Sequence, residues 1–385
     1  MLRLSRTIGV GYLGLCLVTA LATVVFGPLG YAPLPVLPAA ARPPIALTVW
    51  YSTEKRDWLE EATRRFAATN PTVAGRPVQV TLRGMGSGEM ADRVARRDWG
   101  SAPPAAISPA SSVWLEKLRP GDVAADDARP LVLTPLVLVG WEDRSRALWP
   151  DGPRQFWQDL HDAIANPQGW SAIPGGQAAW GPVKLGQTSP ATSNSGAQAL
   201  YLMAHGFFQR PPAAADASDQ AFLRWLGEVQ AGVPERVDST GTLMDDLVRI
   251  GPSKYDFALV YENLALERLD AARQRHGQSL RIFYPPATLL SDHPYAPLRG
   301  DWVTRDQQAA AERFRDFLVA RPQQELALQY GFRPSDPNIA LTGGQSPFAA
   351  HAAEGARADL PPLAPNPSAA VMDALIDAWR RLMNK

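Results

Sequence analysis

From Ile45 onward, short apolar runs alternate with segments whose apolar residues recur every three or four positions. That exchange of strand and helix periods is the signature of an α/β protein. Ile45 to Tyr51 (IALTVWY) is a continuous apolar run suited to a strand buried on both faces. Arg56 to Thr69 follows as a helix with Trp58, Leu59, Ala62 and Phe66 on one face, and Asn70-Pro71 stops it. Val78 to Leu82 alternates apolar and polar as a second strand; Met90 to Arg97 predicts a short helix, and Ala105 to Ser108 a third strand.

Two longer apolar runs divide the chain. Leu131 to Trp141 (LVLTPLVLVGW) is broken by Pro135, and a proline cannot donate to a central ladder, so this segment predicts an edge strand or a crossing between domains. Leu280 to Tyr284 (LRIFY), closed by Pro285-Pro286, is a second crossing. Between them lie a strand at Val183 to Gln187, a helix from Gly196 to Phe208, and a strand at Asp256 to Tyr261 (DFALVY). Beyond them, Thr304 and Gln307 form a capping box for a helix from Arg305 to Val319. Pro322 opens the next helix and Gly331 closes it; Ser368 caps a last one with Met372, Leu375, Ile376, Trp379 and Leu382 on its apolar face. Pro334 to Pro367 reads as a polar loop rich in Pro and Gly. Two crossings predict one lobe from residues 45–135 plus 285–385 and another from 136–284, the topology of a hinged clamp with a cleft between lobes.

Ahead of this α/β region, Met1 to Arg6 carry two arginines and Ile8 to Gly27 form an apolar stretch. Residues 1–27 therefore read as an export signal or a membrane anchor crossing through residues 8–27, with everything after them outside the cytoplasmic membrane. Both readings stand. Ala39-Ala40-Ala41 is a cleavage-type site far beyond the apolar core, and Cys16 follows Leu15 where a lipid-attachment site needs a small residue. Residues 28–44 read as a Pro-rich tether.

Composition narrows the function. The 38 basic and 38 acidic residues balance, so there is no basic field for nucleic acid. Cys16 is the single cysteine, which excludes disulfides and thiolate sites from the exported part. None of the five histidines pair at helical ligand spacing, so no transition-metal site and no cofactor are expected. What remains is a set of small hydroxyl residues at strand-to-helix junctions: Ser52 and Thr53; Ser87 in the loop GMGSGE; Ser111 and Ser112; and Ser193, Asn194 and Ser195 in TSNSG. Any one of them is an ordinary N-cap. Together they place hydroxyls and free backbone N–H groups at strand C-terminal ends, where open α/β sheets bind ligands. GMGSGE is not a Walker loop, because no Gly-Lys-Ser/Thr follows. Asp292-His293 invites a catalytic-triad reading, but those residues are sequential and no G-x-S-x-G elbow is present, so His293 is expected to be structural. Trp141, Trp149, Trp157, Trp170 and Trp180 crowd the middle segment as core, with one or two available to line a cleft.

Five segments have a recognisable pattern: YSTEKRDWLEEATRRF at Tyr51 to Phe66, TSNSG, VYENL at Val260 to Leu264, SDHPYAPL at Ser291 to Leu298, and AAERFRDFLVARPQQELALQYGFRP at Ala310 to Pro334. In them the chain resembles the bacterial type 2 periplasmic solute-binding proteins, in the broad group with molybdate- and sulfate-binding members. The resemblance implies two α/β lobes with two crossover strands, and ligand capture by closure, with Ser52, Ser87, Ser193 to Ser195 and Tyr261 at ligand-contact positions. Glu262 directly follows Tyr261, and a carboxylate facing the cleft would repel an oxyanion; Glu54 and Lys55 raise the same question at the first junction. The ligand class stays open between an oxyanion, a polyol and a solute with a positive group. The expectation is a monomeric, extracytoplasmic binding protein serving a membrane permease of the ABC type. A membrane-anchored sensor or assembly partner on the same fold is the alternative.

Overall fold

The protein is described here by a computed structural model that covers residues 43–100, 102–121, 123 and 128–384. The expected signal or anchor, and all of the tether but its last two residues, lie outside the described residues. In chain order the strands are β1 Ile45–Ser52, β2 Thr72–Val73, β3 Arg76–Met85, β4 Ala106–Ser108, β5 Arg129–Pro130, β6 Val132–Trp141, β7 Leu185–Thr188, β8 Arg236–Val237, β9 Phe257–Tyr261, β10 Leu280–Phe283, β11 Leu290–Ser291, β12 Pro294–Pro297 and β13 Arg333–Pro334. The helices are α1 Arg56–Ala68, α2 Ser87–Arg96, α3 Val113–Glu116, α4 Glu142–Leu148, α5 Phe156–Ala165, α6 Asn194–Phe208, α7 Gln220–Ala231, α8 Thr240–Ile250, α9 Glu262–His276, α10 Arg305–Val319, α11 Arg321–Gln329, α12 Pro347–Ala350 and α13 Ala369–Met383. Among the described residues no helix is long and apolar enough to cross a membrane.

Two sheets define two lobes. The first, six-stranded, runs β2-β3-β1-β4-β12-β5; the second, seven-stranded, runs β10-β6-β9-β7-β8 with β11 and β13 added along β6. This is the two-lobed α/β fold expected from the sequence. In lobe 1 the parallel register pairs Ser52 with Met85 and Tyr51 with Ser108, so the C-terminal ends of β1, β3 and β4 finish at one edge. In lobe 2, β7 runs parallel to β8 and β9, pairing Thr188 with Val237 and Leu185 with Phe257. The edges from which the chain passes into α2, α6, α8 and α9 face each other across the seam between lobes. Parallel strands aim their helices' first turns at the same place, so the first turns from both lobes converge there.

β6 is an interior strand, which corrects the edge-strand alternative. Its second half lies between β10 and β9, with Leu136 opposite Tyr261 and Leu138 opposite Phe283; its first half pairs with β11 and β13. Pro135 is tolerated because the β9 ladder begins only at Leu136, so its missing N–H removes no rung there. The strand thus carries the chain from one lobe into the other.

The apolar residues separate accordingly. Leu47, Val49, Trp50, Trp58, Phe66 and Phe314 pack in lobe 1, while two clusters cover the two faces of the lobe 2 sheet, one around Leu200, Phe222 and Phe257, the other around Val139, Leu243 and Leu269. Trp141 and Trp170 are fully buried, and none of the five middle-segment tryptophans lines the seam cavity described below. The C-terminal end departs from the expected grouping of 285–385 with lobe 1. Helix α13 buries Met372, Leu375, Ile376 and Trp379 in the lobe 2 core, and the Trp379 indole donates to Gln230 Oε1 at 3.0 Å. The segment before it is also packed rather than free: Phe348 sits in the lobe 2 core, and Thr288 bridges to Leu363.

Helix starts follow side-chain chemistry. Thr304 accepts from the Gln307 N–H at 3.3 Å while Gln307 Oε1 accepts from the Thr304 N–H at 3.0 Å, the reciprocal cap predicted for α10. We expect Thr304→Ala to lower stability by about 1 kcal/mol, seen as a lower urea midpoint with an unchanged slope. An unchanged midpoint would show the helix end to be held by packing alone.

Candidate functional site

α2 starts at Ser87 and α6 at Asn194, each a few residues earlier than the apolar periodicity predicts. Neither N-cap residue, Gly86 or Ser193, closes its helix with a side-chain bond. These first turns, with those of α8 and α9, meet in the seam. They close around a tight cavity with no free space for a water molecule, lined by Ser52, Thr53, Glu54, Met85, Gly86, Ser87, Ala110, Ser193, Asn194, Ser239, Thr240 and Tyr261. Both lobes contribute, and nearly every lining side chain is buried.

Six of the ten site residues expected from sequence meet here: Ser52, Thr53, Ser87, Ser193, Asn194 and Tyr261. Ser195 lies one layer behind, its hydroxyl bonded to those of Thr188, Ser193 and Thr240 at 2.8, 3.2 and 2.6 Å. Ser111 and Ser112 border a neighbouring cavity of about 70 Å3 that shares Asn194 with the seam. Glu262 is a correction. Its carboxylate accepts two bonds from the Arg333 guanidinium at 2.7 Å and another from the Tyr284 hydroxyl, so it is turned away from the cavity lining. Such a bidentate, fully buried pair holds α9 to β13 and offers nothing to a ligand. Sequence reading missed Ser239 and Thr240. They stand at a strand-to-helix junction like the others, but β8 has only two residues and gives no apolar run to announce it.

A polar cluster lies directly beneath the cavity. Lys55 Nζ donates to Ser52 Oγ and to the Pro109 carbonyl at 3.3 Å, and Ser52 Oγ donates to Glu54 Oε1. His293 Nδ1 lies 3.1 Å from both Lys55 Nζ and Glu54 Oε1. All four side chains are buried. Burial by itself would raise the Glu54 pKa, but the Lys55 ammonium, His293 and the Ser52 hydroxyl outweigh it and hold the carboxyl at about 2. Burial lowers Lys55 to about 8, only partly offset by Glu54. Burial and the Lys55 charge together lower His293 to about 4, so the imidazole is neutral. His293 is structural, as its isolated motif predicts. Its backbone takes the left-handed conformation with φ 38°, and its N–H donates to the Ala110 carbonyl at 3.1 Å.

The two lobes touch directly across the seam. The Gly88 and Glu89 N–H groups at the start of α2 donate to the lobe 2 carbonyl of Thr192 at 2.9 and 3.3 Å. The Gly241 N–H at the start of α8 donates to Thr53 Oγ1 at 3.2 Å, and Asn263 Nδ2 donates to the Glu54 carbonyl at 3.1 Å. The Trp114 indole donates to Asn194 Oδ1 at 2.7 Å, and Asn194 Nδ2 donates to the Tyr261 hydroxyl at 2.7 Å. At the rim, Arg56 pairs with Asp245 at 3.2 Å and Arg268 with Asp57 at 2.8 Å. The glycines of GMGSGE make this closeness feasible. A Cβ on Gly86 would lie 2.3 Å from the Thr192 carbonyl oxygen and 2.6 Å from that of Asp238; one on Gly88 would lie 2.5 Å from that of Ala191. A larger cavity, of about 690 Å3, opens on the outer side of lobe 2 beside Trp157, His205 and Trp225. Lobe 1 contributes nothing from its sheet or helices to it, so closure does not act there. Among the described residues no group of His, Cys, Asp and Glu is placed to hold a metal ion.

Comparison with known proteins places this geometry. The family model described as bacterial extracellular solute-binding protein matches residues 47–333. Two uncharacterized proteins of Mycobacterium tuberculosis, from strains CDC 1551 / Oshkosh and H37Rv, are 27% identical over 307 residues, covering 73% of this chain and 41% of each relative. The chain therefore spans less than half the length of these curated relatives. Among solved structures, the periplasmic thiamin binding protein aligns with a TM-score of 0.63 at 13% identity over 91% of this chain and 100% of its own. The sulfate-binding protein SubI of M. tuberculosis H37Rv aligns at 0.55 and 20% identity over 86% and 96%. Iron-bound HitA of Pseudomonas aeruginosa aligns at 0.55 and 15% over 89% and 99%. At such identities the likeness is one of fold.

Two outcomes follow from the seam. Gly86→Ala meets main-chain oxygens rather than flexible side chains, so the lobes must part; small-angle scattering should show a larger radius of gyration, with helix content unchanged. An unaltered radius would mean that the seam yields locally instead. The second concerns pH. His293 is depressed in the folded state, so its neutral form stabilises the fold fully above about 6.5, and that contribution is lost as pH falls toward 4. Glu54, also depressed, contributes above 4.5 and loses that contribution as pH falls toward 2. Thermal unfolding should therefore begin to shift down below pH 6.5, and His293→Gln should remove the shift between 6.5 and 4.

Proposed function

Because this chain belongs to the bacterial extracellular solute-binding proteins, we propose that it captures a small polar solute in the seam cavity and presents it to an ABC-type importer. It is a type 2 periplasmic solute-binding protein by family and fold, working outside the cytoplasm. Its family and structural neighbours are binding proteins, and it is a binding protein rather than an enzyme. The observation that carries the reading is the convergence itself: helix first turns from both lobes meet at one buried seam lined by hydroxyl side chains. Ser52, Thr53, Ser87, Ser193, Asn194 and Tyr261 are the residues we assign to the solute. Sulfate, thiamin and iron are held by the neighbours named above, so the fold admits solutes of either charge.

A second reading has its own support. The lobes already bond to each other through main-chain groups at Gly88, Glu89 and Thr192, and the curated relatives are more than twice as long as the region they share with this chain. Both observations suit a sensor or assembly partner that closes without delivering cargo.

A thermal-shift panel of oxyanions, polyols and amines separates the two. A bound solute at a hundredfold its Kd should add about 2.7 kcal/mol of stability, and Ser87→Ala with Ser193→Ala should abolish the shift. No shift with any class, in a protein that elutes as a folded monomer, would favour the second reading.

A further inference from the structure

The rim of the seam joins the lobes through charged side chains that do not border the cavity. From lobe 1, α1 brings Arg56 and Asp57; from lobe 2, α8 brings Asp245 and α9 brings Glu267 and Arg268. Arg56 donates to its neighbour Asp57 at 2.8 Å and, across the seam, to Asp245 at 3.2 Å. Arg268 donates to its neighbour Glu267 at 3.0 Å and, across the seam, to Asp57 at 2.8 Å, and Asp245 lies 3.6 Å from its Nε. Each guanidinium therefore spans the two lobes.

Three carboxylates in this network stand against two guanidiniums, so with every acid ionised it carries one negative charge in excess. Such an excess is costly where water is scarce. Arg56 and Asp245 are 41% and 46% exposed, whereas the Glu267 side chain is 14% exposed. Burial first, then the hydrogen bond to Asp57 and the Asp57 charge, push the Glu267 pKa up to about 8. Burial would raise Asp57 as well, but Glu267, Arg56 and Arg268 outweigh it and hold that carboxyl well below the ordinary range. At neutral pH Glu267 is thus the protonated partner and Asp57 the charged acceptor. The groups acting on Glu267 are Asp57 and Arg56 from α1 and Arg268 from its own helix. Asp245 of α8 is linked to it through Arg268, and Tyr330, just past α11, feels its charge together with those of Asp57, Glu61 and Arg64.

We infer that closing the lobes takes up one proton, which Glu267 holds and donates across the seam to Asp57. This latch goes beyond solute capture and operates with or without a solute. With the lobes apart, Asp57 leaves Glu267, water reaches it, and it ionises as an ordinary carboxyl. A proton bound more tightly in the closed state favours closure at low pH. That contribution is complete below about 4.5 and is lost as pH rises through about 8. His293, depressed to about 4, is already neutral above 6.5 and adds nothing to the slope there. Lys55, lowered to about 8, acts in the opposite sense, favouring closure as pH rises beyond that value.

Amide hydrogen exchange on the full-length chain reads closure directly, because the Gly88 and Glu89 N–H groups are bonded across the seam to Thr192. Corrected for the intrinsic pH dependence of exchange, their protection should fall about tenfold or more between pH 6.5 and 8.5, since one proton is worth a factor of about ten per unit between the two pKa values. Protection within β9 should stay level over the same range. Glu267→Gln, whose amide still donates to Asp57, should keep Gly88 and Glu89 protected at every pH. Asp57→Asn leaves two carboxylates for two guanidiniums and should flatten the profile too, which keeps the test open where Glu267→Gln does not fold. Protection independent of pH in the unaltered protein would overturn the inference, as would protection that rises with pH. An undiminished slope in a folded Glu267→Gln protein would overturn it as well.

Discussion

A carboxylate that remains ionised inside a protein must be met by donors, and Glu54 organises much of the seam around that requirement. Its position two residues past the end of β1 brings Lys55 into the interior as a buried cation, with Ser52 relaying between them. His293 completes the group from β12's side of the lobe, at the cost of a left-handed backbone conformation that a non-glycine residue adopts only where its surroundings enforce it. The cluster therefore ties the loops after β1, β4 and β11 into one rigid floor. Hydrophobic packing would hold the two lobes individually. The floor fixes where hydroxyls and helix starts stand relative to each other when the lobes meet.

The seam is close because glycines permit it. Gly86 and Gly88 bring main chain of lobe 1 against main chain of lobe 2, and the contact that results is a pair of N–H groups capped by a carbonyl. In an open clamp the first turn of α2 would be a bare positive end available to an anion. Closed, that end is capped by the protein itself. Such capping lowers the energy of the closed state in the absence of solute and reduces the donors left for a solute. Both consequences come from the same two residues.

Solved neighbours with the same fold include proteins named for sulfate, thiamin and iron at 13 to 20% identity. A scaffold that accommodates such different ligands leaves selectivity to the few side chains at the strand ends. In this chain those side chains stand over the Glu54–Lys55 pair, whose opposite charges lie 3.3 Å apart. The other acidic residue near the site, Glu262, is neutralised by Arg333 from a strand 71 positions away in sequence.

Much of this was legible in the chain. The apolar run at Ile45 to Tyr51, the capping box at Thr304 and Gln307, and the hydroxyl residues before α2 and α6 are determined locally, because strand period and cap chemistry act over a few residues. Those same local rules placed Ser52, Ser87, Ser193 and Tyr261 at strand ends, and parallel register within each sheet carried them to two edges that face each other across the seam. What local rules cannot reach was decided by the tertiary structure. Pro135 lies within an interior strand because its neighbour ladder starts one residue later, and α13 joins lobe 2 because its apolar stripe found that core. Glu262 turned inward because Arg333 arrived there. Ser239 and Thr240 joined the cavity from a two-residue strand with no pattern to read. The sequence by itself determined the elements and the chemistry they carry; only the folded chain decided which cation each buried carboxylate meets, Lys55 for Glu54 and Arg333 for Glu262, because those partners come from the tertiary arrangement.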